Sequence, residues 1–134
     1  MAIDHIDHFQ LVISNVDKAV DFYTRLGLTV ASIAEPSATM PKRAYMKVGG
    51  GQEINLMTPE AVAAQHRTED AGGGHFCLVW DGSEAELREH LAKNNVALRD
   101  RQPAPGQGTG AMGKGTSIFV NDPDGNSIEI IVYP

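Results

Sequence analysis

Apolar residues along this chain alternate in short runs, interrupted by two longer stretches whose apolar positions recur with a helical period, and this pattern predicts the elements. Residues 8–13, HFQLVI, alternate and are rich in β-formers, which predicts a strand. Its pleat places His8, Gln10 and Val12 on one face and Phe9, Leu11 and Ile13 on the other. Over residues 16–26, Ala19, Phe22, Tyr23 and Leu26 recur at helical spacing, and Gly27 stands where a left-handed C-cap belongs. Strands are then predicted at 28–33, 43–48 and 52–57, with a proline-containing loop at 35–41 and a turn at Gly49, Gly50 and Gly51. A short helical stretch over 59–66 and a polar, glycine-rich run lead to residue 74.

The order then starts again. Residues 75–80 read as a strand, and Ser83 opens a helix whose capping box is completed by Glu86. Leu87 and Leu91 form its apolar stripe, and Asn95 takes the cap position of Gly27. A strand at 96–99 and a long loop at 102–115 precede a closing hairpin, 117–120 and 128–132, joined by the type I turn sequence Asp122-Pro123-Asp124-Gly125. His75 follows His8 by 67 residues and Leu98 follows Val30 by 68; Phe119 follows Tyr45, and Glu129 follows Asn55, by 74. A repeat of a whole supersecondary unit predicts an α+β fold of two βαβββ modules forming one curved, eight-stranded mixed sheet with a concave cleft. The 134 residues make one domain, with module one at about 1–58, a connector at 59–74 and module two at about 75–134.

Glu129 is the residue that does not fit. Ile128, Ile130, Ile131 and Val132 surround it, and a buried, unpaired carboxylate is costly. Either it points outward as the polar side of a strand, or a cation answers it. The repeat favours the cation, because it sets His8 and His75 at equivalent points of the two first strands, and Glu129 and Asn55 at equivalent points of the two last strands. Two imidazoles and a carboxylate leave coordination positions open, as catalytic metals require.

Composition limits the partners. The mixture, 42% hydrophobic and 21% charged, is that of a globular domain, and a net charge of −6 argues against nucleic acid or an anionic membrane. One cysteine, Cys77, permits no internal disulfide, there is no leader-like start, and no apolar run is long enough for a membrane span; a cytoplasmic protein is expected.

Three stretches, IDHFQLVISNVDKAVDFYTRLGL, GGGHFCLVW and FVNDPDGNSIEII, resemble the vicinal-oxygen-chelate superfamily of glyoxalase I, fosfomycin and bleomycin resistance proteins and extradiol dioxygenases. The resemblance covers the whole chain. It implies a homodimer, a small-molecule substrate, and one divalent ion (Fe, Mn, Ni or Zn) held by His8, His75 and Glu129. It also marks departures. Asn55 replaces a second Glu that serves glyoxalase I as ligand and base; Glu53 takes that place if the strand register is shifted by two. Phe119 stands where dioxygenases carry a Tyr. The reading is therefore a metal-dependent enzyme leaning to lyase or isomerase chemistry, with Glu129 and Asn55 as catalytic candidates and Gln10, Asn55, Cys77 and Phe119 lining the pocket. A ring-cleaving dioxygenase and a metal-free, ligand-sequestering protein are the alternatives. Trp80 is a further candidate pocket wall. For Cys77 a small buried residue is the plainer reading, and for His66 and His90 a solvated helical surface. The run Gly113-Lys114-Gly115-Thr116 is better read as a flexible lid than as a phosphate loop, since a strand follows it.

Overall fold

The computed structural model describes residues 1–134, which divide into two compact units, Met1–Gly72 and Gly73–Pro134. In the first, β1 (His8–Val12), α1 (Val16–Leu26), β2 (Thr29–Ala34), β3 (Arg43–Lys47) and β4 (Glu53–Met57) precede the short helix α2 (Pro59–Ala63). The second contains β5 (His75–Val79), α3 (Glu84–Lys93), β6 (Gly108–Gly110), β7 (Gly113–Asn121) and β8 (Ser127–Val132). Each unit holds a four-stranded mixed sheet, ordered β1-β4-β3-β2 and β5-β8-β7-β6, so the α+β class and the βαβββ modules are observed.

The repeat holds down to single hydrogen bonds. Helix α1 ends with Leu28 N–H on Tyr23 C=O and Gly27 N–H on Thr24 C=O. At α3 the same pair recurs 68 residues later, from Val96 to Leu91 and from Asn95 to Ala92. This closure needs a residue at positive φ: Gly27 has φ 125° and Asn95 φ 56°. The bond from Val48 N–H to Gln52 C=O likewise has its counterpart between Asp122 and Asn126.

One face of each sheet is packed against its helix. In module one, Ala44, Met46, Ile54 and Leu56 are fully buried, together with Ala19 and Tyr23 of α1. In module two the buried set is Leu87 and Leu91 of α3 with Ile118, Val120, Ile128 and Ile130. Burying each large side chain is worth about 1.5–3 kcal/mol, which holds the strand alternation and so determines what the opposite, open face presents. At one end of that face in module one, Val12 and Met57 are covered by Ala61 and Val62 of α2.

Two expectations are corrected in module two. Residues 96–99 form no strand beyond one bridge, Leu98 to Val120, and the outer strand is instead β6, inside the expected loop. The run at Gly113–Thr116 is no lid, because it is the beginning of β7, paired with β6 and β8. Its glycines serve close packing. A side-chain carbon at Gly108 would run into Ser117 Oγ, and one at Gly115 would lie 2.7 Å from the Val132 carbonyl oxygen.

The expected turn is present and does more than reverse the chain. Asp122 Oδ1 accepts from the N–H groups of Asp124 (2.9 Å) and Asn126 (2.9 Å), and Gly125 completes the turn at φ 88°. Asn126, fully buried, donates to Asp122 Oδ2 (2.8 Å) and accepts from the Gly74 N–H (2.7 Å), which ties the hairpin to the start of β5. Asn126→Ala would remove the side-chain acceptor of the Gly74 N–H and a buried donor to Asp122, and should cost about 2–3 kcal/mol in urea denaturation. Glu89→Ala, on the exposed side of α3, should change stability by less than about 0.5 kcal/mol.

Candidate functional site

The open face of module two is set by the parallel pairing of β5 with β8, in which His75 lies opposite Ser127 and Cys77 opposite Glu129. The Nδ1 of His75 is 3.1 Å from the Ser127 carbonyl oxygen and 3.1 Å from Ser127 Oγ. A carbonyl only accepts, so the tautomer that uses it has its proton on Nδ1 and leaves Nε2 its lone pair. That Nε2 lies 3.7 Å from Glu129 Oε1, while Ser117 Oγ donates to Glu129 Oε2 at 2.7 Å. Glu129 retains 13% side-chain exposure against 51% for His75. With the proton on Nδ1, Nε2 and Glu129 Oε1 are two acceptors facing each other across a gap that a cation can bridge.

Phe119, the register partner of Glu129 on β7, stacks near the His75 ring at a 6.3 Å centroid separation and 19° between planes. Its backbone is clamped by Gln102, whose amide accepts from the Phe119 N–H (2.7 Å) and donates to its carbonyl (2.8 Å). The Arg99 guanidinium sits 5.4 Å from the centre of the Phe119 ring. Cys77 is exposed rather than buried, which corrects the plainer expectation for it, because the His75, Cys77 and Val79 row all faces away from the helix. Partial screening of its sulfur, and then the Glu129 carboxylate beside it, push the thiol up to about 11.

Module one repeats the frame with different groups. His8 lies opposite Glu53, and Gln10 opposite Asn55, in the parallel pairing of β1 with β4. Asn55 is thus the structural counterpart of Glu129, and Glu53 that of Ser127, so the register needs no shift of two. His8 Nδ1 is held by Asp7 Oδ1 at 2.6 Å, again leaving Nε2 open. Gln10 receives a hydrogen bond from Arg67 (2.8 Å) and gives one to Glu69 (2.8 Å), so the connector reaches back over this face.

The structure places His75, Cys77, Phe119 and Glu129 together on module two, and His8, Gln10 and Asn55 together on module one. Within neither module do three His, Cys, Asp or Glu side chains converge on one point. Trp80 is not on the site face; it continues the alternate row of β5 and its ring lies 5.2 Å from that of His90. His90 is accordingly half-buried, not solvated, and His66 is exposed but beyond the end of α2, at φ 62°. Sequence reasoning missed Ser117, Ser127 and Gln102. The signal for the two serines was hydroxyls at the ends of otherwise apolar strands; nothing local marks Gln102, whose partner lies 17 residues away.

The chain belongs to the Glyoxalase/Bleomycin resistance protein/Dioxygenase superfamily, whose family model matches residues 5–130. It is 30% identical over 139 residues to the glyoxalase domain-containing protein RDO1 of Mycosarcoma maydis, spanning 99% of this chain and 70% of that protein. It is 26% identical over 134 residues to virulence protein STM3117 of Salmonella typhimurium, spanning 99% of this chain and 87% of that one. The crystal structure of STM3117 matches with a TM-score of 0.78 over 100% of both chains at 27% identity. TnmS3, an antibiotic binding protein from Streptomyces sp. CB03234, shares the fold with a TM-score of 0.72 and 22% identity over 100% of this chain and 99% of that one. No helix is long and apolar enough to cross a membrane.

The raised Cys77 thiol gives a direct check on the site's electrostatics. At pH 8 its thiolate fraction falls on the order of 100-fold below that of a free cysteine, offset in part by the greater nucleophilicity of a more basic thiolate. Iodoacetamide should therefore modify metal-stripped protein about 10- to 30-fold more slowly than it modifies free cysteine. Glu129→Gln, which removes the neighbouring charge, should speed that reaction and shift its pH profile to lower pH.

Proposed function

We propose that the protein is a metal-dependent enzyme of this superfamily, acting on a small molecule that offers two adjacent oxygens, with His8, His75 and Glu129 as the ligands. The observation that carries this reading is the pair of apposed acceptors, His75 Nε2 and Glu129 Oε1, 3.7 Å apart. An imidazole nitrogen and a carboxylate oxygen are donors that Fe, Mn, Ni and Zn all accept. The partners behind them are of the kind that orient ligands: a carbonyl on His75 Nδ1, a hydroxyl on the second Glu129 oxygen, and a carboxylate on His8 Nδ1.

Held by His8, His75 and Glu129, a divalent ion would supply Lewis acidity toward the paired oxygens of the substrate. The chain's own residues then decide the chemistry. Asn55 cannot take a proton at neutral pH, so it serves as a neutral hydrogen-bonding group beside the substrate. Glu129 is the carboxylate available to move a proton, held by Ser117 in one rotamer. Phe119 offers no hydroxyl and forms an apolar wall, which favours lyase or isomerase chemistry over ring cleavage. A second reading, a ligand-sequestering protein that needs no metal, is supported by the neutral Asn55 and by the fold shared with an antibiotic binding protein. We also propose a homodimer, because β2 exposes Val30 and Ile33 on a sheet edge.

Metal analysis of protein purified without chelator separates the two readings. One ion per chain is expected in native protein, lost in His8→Ala, His75→Ala and Glu129→Ala and kept in His66→Ala and His90→Ala. Ser117→Ala should weaken metal binding about tenfold. Full occupancy in His75→Ala would defeat the assignment.

Asn55→Glu provides the converse test. A carboxylate at this position adds a full charge to a partly dry site and should tighten the divalent ion by about tenfold or more. Unchanged affinity would mean that Asn55 lies away from the ion.

A further inference from the structure

A guanidinium stands on the open face of module two, in the same cross-strand row as Glu129, with no carboxylate to answer it. Leu98 bridges Val120 of the helix-backed row, so Arg99 takes the other side, with Phe119 and Asn121. Its Nε donates to Asn121 Oδ1 at 2.8 Å, and its guanidinium carbon lies 5.4 Å from the centre of the Phe119 ring. Both partners are neutral. The two Nη groups have no partner in the protein and are not sealed from water.

The other cations of module two are placed differently. Arg88 pairs with Glu84 along α3, and Lys93 ends that helix. Lys114 takes the β7 row of Ile118 and Val120, away from the open face, and donates to Thr109. Arg101 is exposed in the loop that follows. Arg99 alone among them is fixed against a wall of the candidate site. Its N–H bonds the Phe119 carbonyl at 3.0 Å, and its own carbonyl accepts from Gln102 (3.0 Å), the residue that clamps Phe119. Main chain, Nε and ring contact together hold one rotamer, so the entropy of ordering this long side chain is already lost before an anion arrives.

The same contacts bound the distance to the metal-ligand candidates. The Phe119 ring centre is 6.3 Å from that of His75 and 5.4 Å from the guanidinium carbon; end to end these separations give 11.7 Å, the most that can divide Arg99 from the His75 ring.

We propose that Arg99 binds a carboxylate at the far end of the small molecule whose near end meets His75 and Glu129. The paired Nη–H groups present a planar edge that matches the two oxygens of a carboxylate. A single guanidinium sharing its row with the Glu129 carboxylate suits a monoanion better than a phosphate dianion. The substrate class is thus a small monocarboxylate short enough to span that distance. This assignment deepens the reading above: it rests on the open face as the ligand face, but not on the metal.

The test uses native protein stripped of metal and dialysed free of chelator, at constant ionic strength. Phenylacetate is titrated while the Arg99 Nε–H and Phe119 ring resonances are followed by NMR, with phenylacetamide as the neutral isostere and inorganic phosphate as the dianion. A saturable shift of both resonances in the millimolar range, absent with phenylacetamide, is expected. Arg99→Met should weaken phenylacetate by about tenfold or more, and Arg99→Lys, which keeps the charge without the planar edge, should fall between. Arg101→Met, which removes the neighbouring exposed charge, should stay within about twofold of native. No saturable shift, an equal response to phenylacetamide, tighter binding of phosphate, native-like binding by Arg99→Met, or an equal loss in Arg101→Met would each overturn the proposal. Should Arg99→Met fail to fold, the native titration and Arg101→Met decide. No metal is present, so failure of the metal reading and failure of this one are seen separately.

Discussion

In both modules the first strand runs parallel to the last, and a slip of one residue in either pairing would carry every side chain of the strand to the opposite face. The helix-backed faces forbid that slip. Ile54 and Leu56 in one module, and Ile128 and Ile130 in the other, are buried deeply enough that exposing them would cost several kcal/mol. Apolar burial on one face thus sets the polar residues on the other. His75 is brought beside Ser127, and Glu129 beside Cys77, by the packing of residues that take no part in the chemistry.

Parallel strands also need their ends joined at a distance, and here the turn network of Asp122 and Asn126 contributes. A hairpin turn alone would reverse the chain. The buried Asn126 amide additionally bonds the Gly74 N–H, which fixes the entry to β5 one residue before His75. The ligand candidate is thereby anchored on both sides, by Gly74 in the backbone and by Ser127 at its ring.

The two modules share a scaffold and differ in charge. At the equivalent point of the last strand, one presents a carboxylate and the other an amide; beside the first-strand residue two positions on, one has Cys77 and the other Gln10. Duplication supplies a symmetric frame, and chemistry follows from the positions where the symmetry is broken. Arg43 is a further departure. The residue 74 positions later is Ser117, which in module two holds Glu129. The same strand position therefore serves an internal carboxylate in one half and carries a guanidinium, its Nε buried without a partner, in the other.

Much of this was legible in the sequence because it depends on local chemistry. The helical period of α1, the capping box of Ser83, the left-handed positions Gly27 and Asn95, and the Asp122 turn are each decided within a few residues. The offsets of 67, 68 and 74 residues then carried His8, His75, Asn55 and Glu129 to equivalent places without any coordinates. The loop expected at 102–115 and the lid expected at 113–116 are strand in part, because glycine reports permissiveness, not its cause. Only the packed structure shows that Gly108 yields to Ser117 and Gly115 to a carbonyl, making strand where a lid was expected. The partners of the site residues likewise lie far off in sequence, with Ser127 52 residues from His75 and Gln102 17 from Phe119. Their roles depend on which atoms meet only after the strands pair.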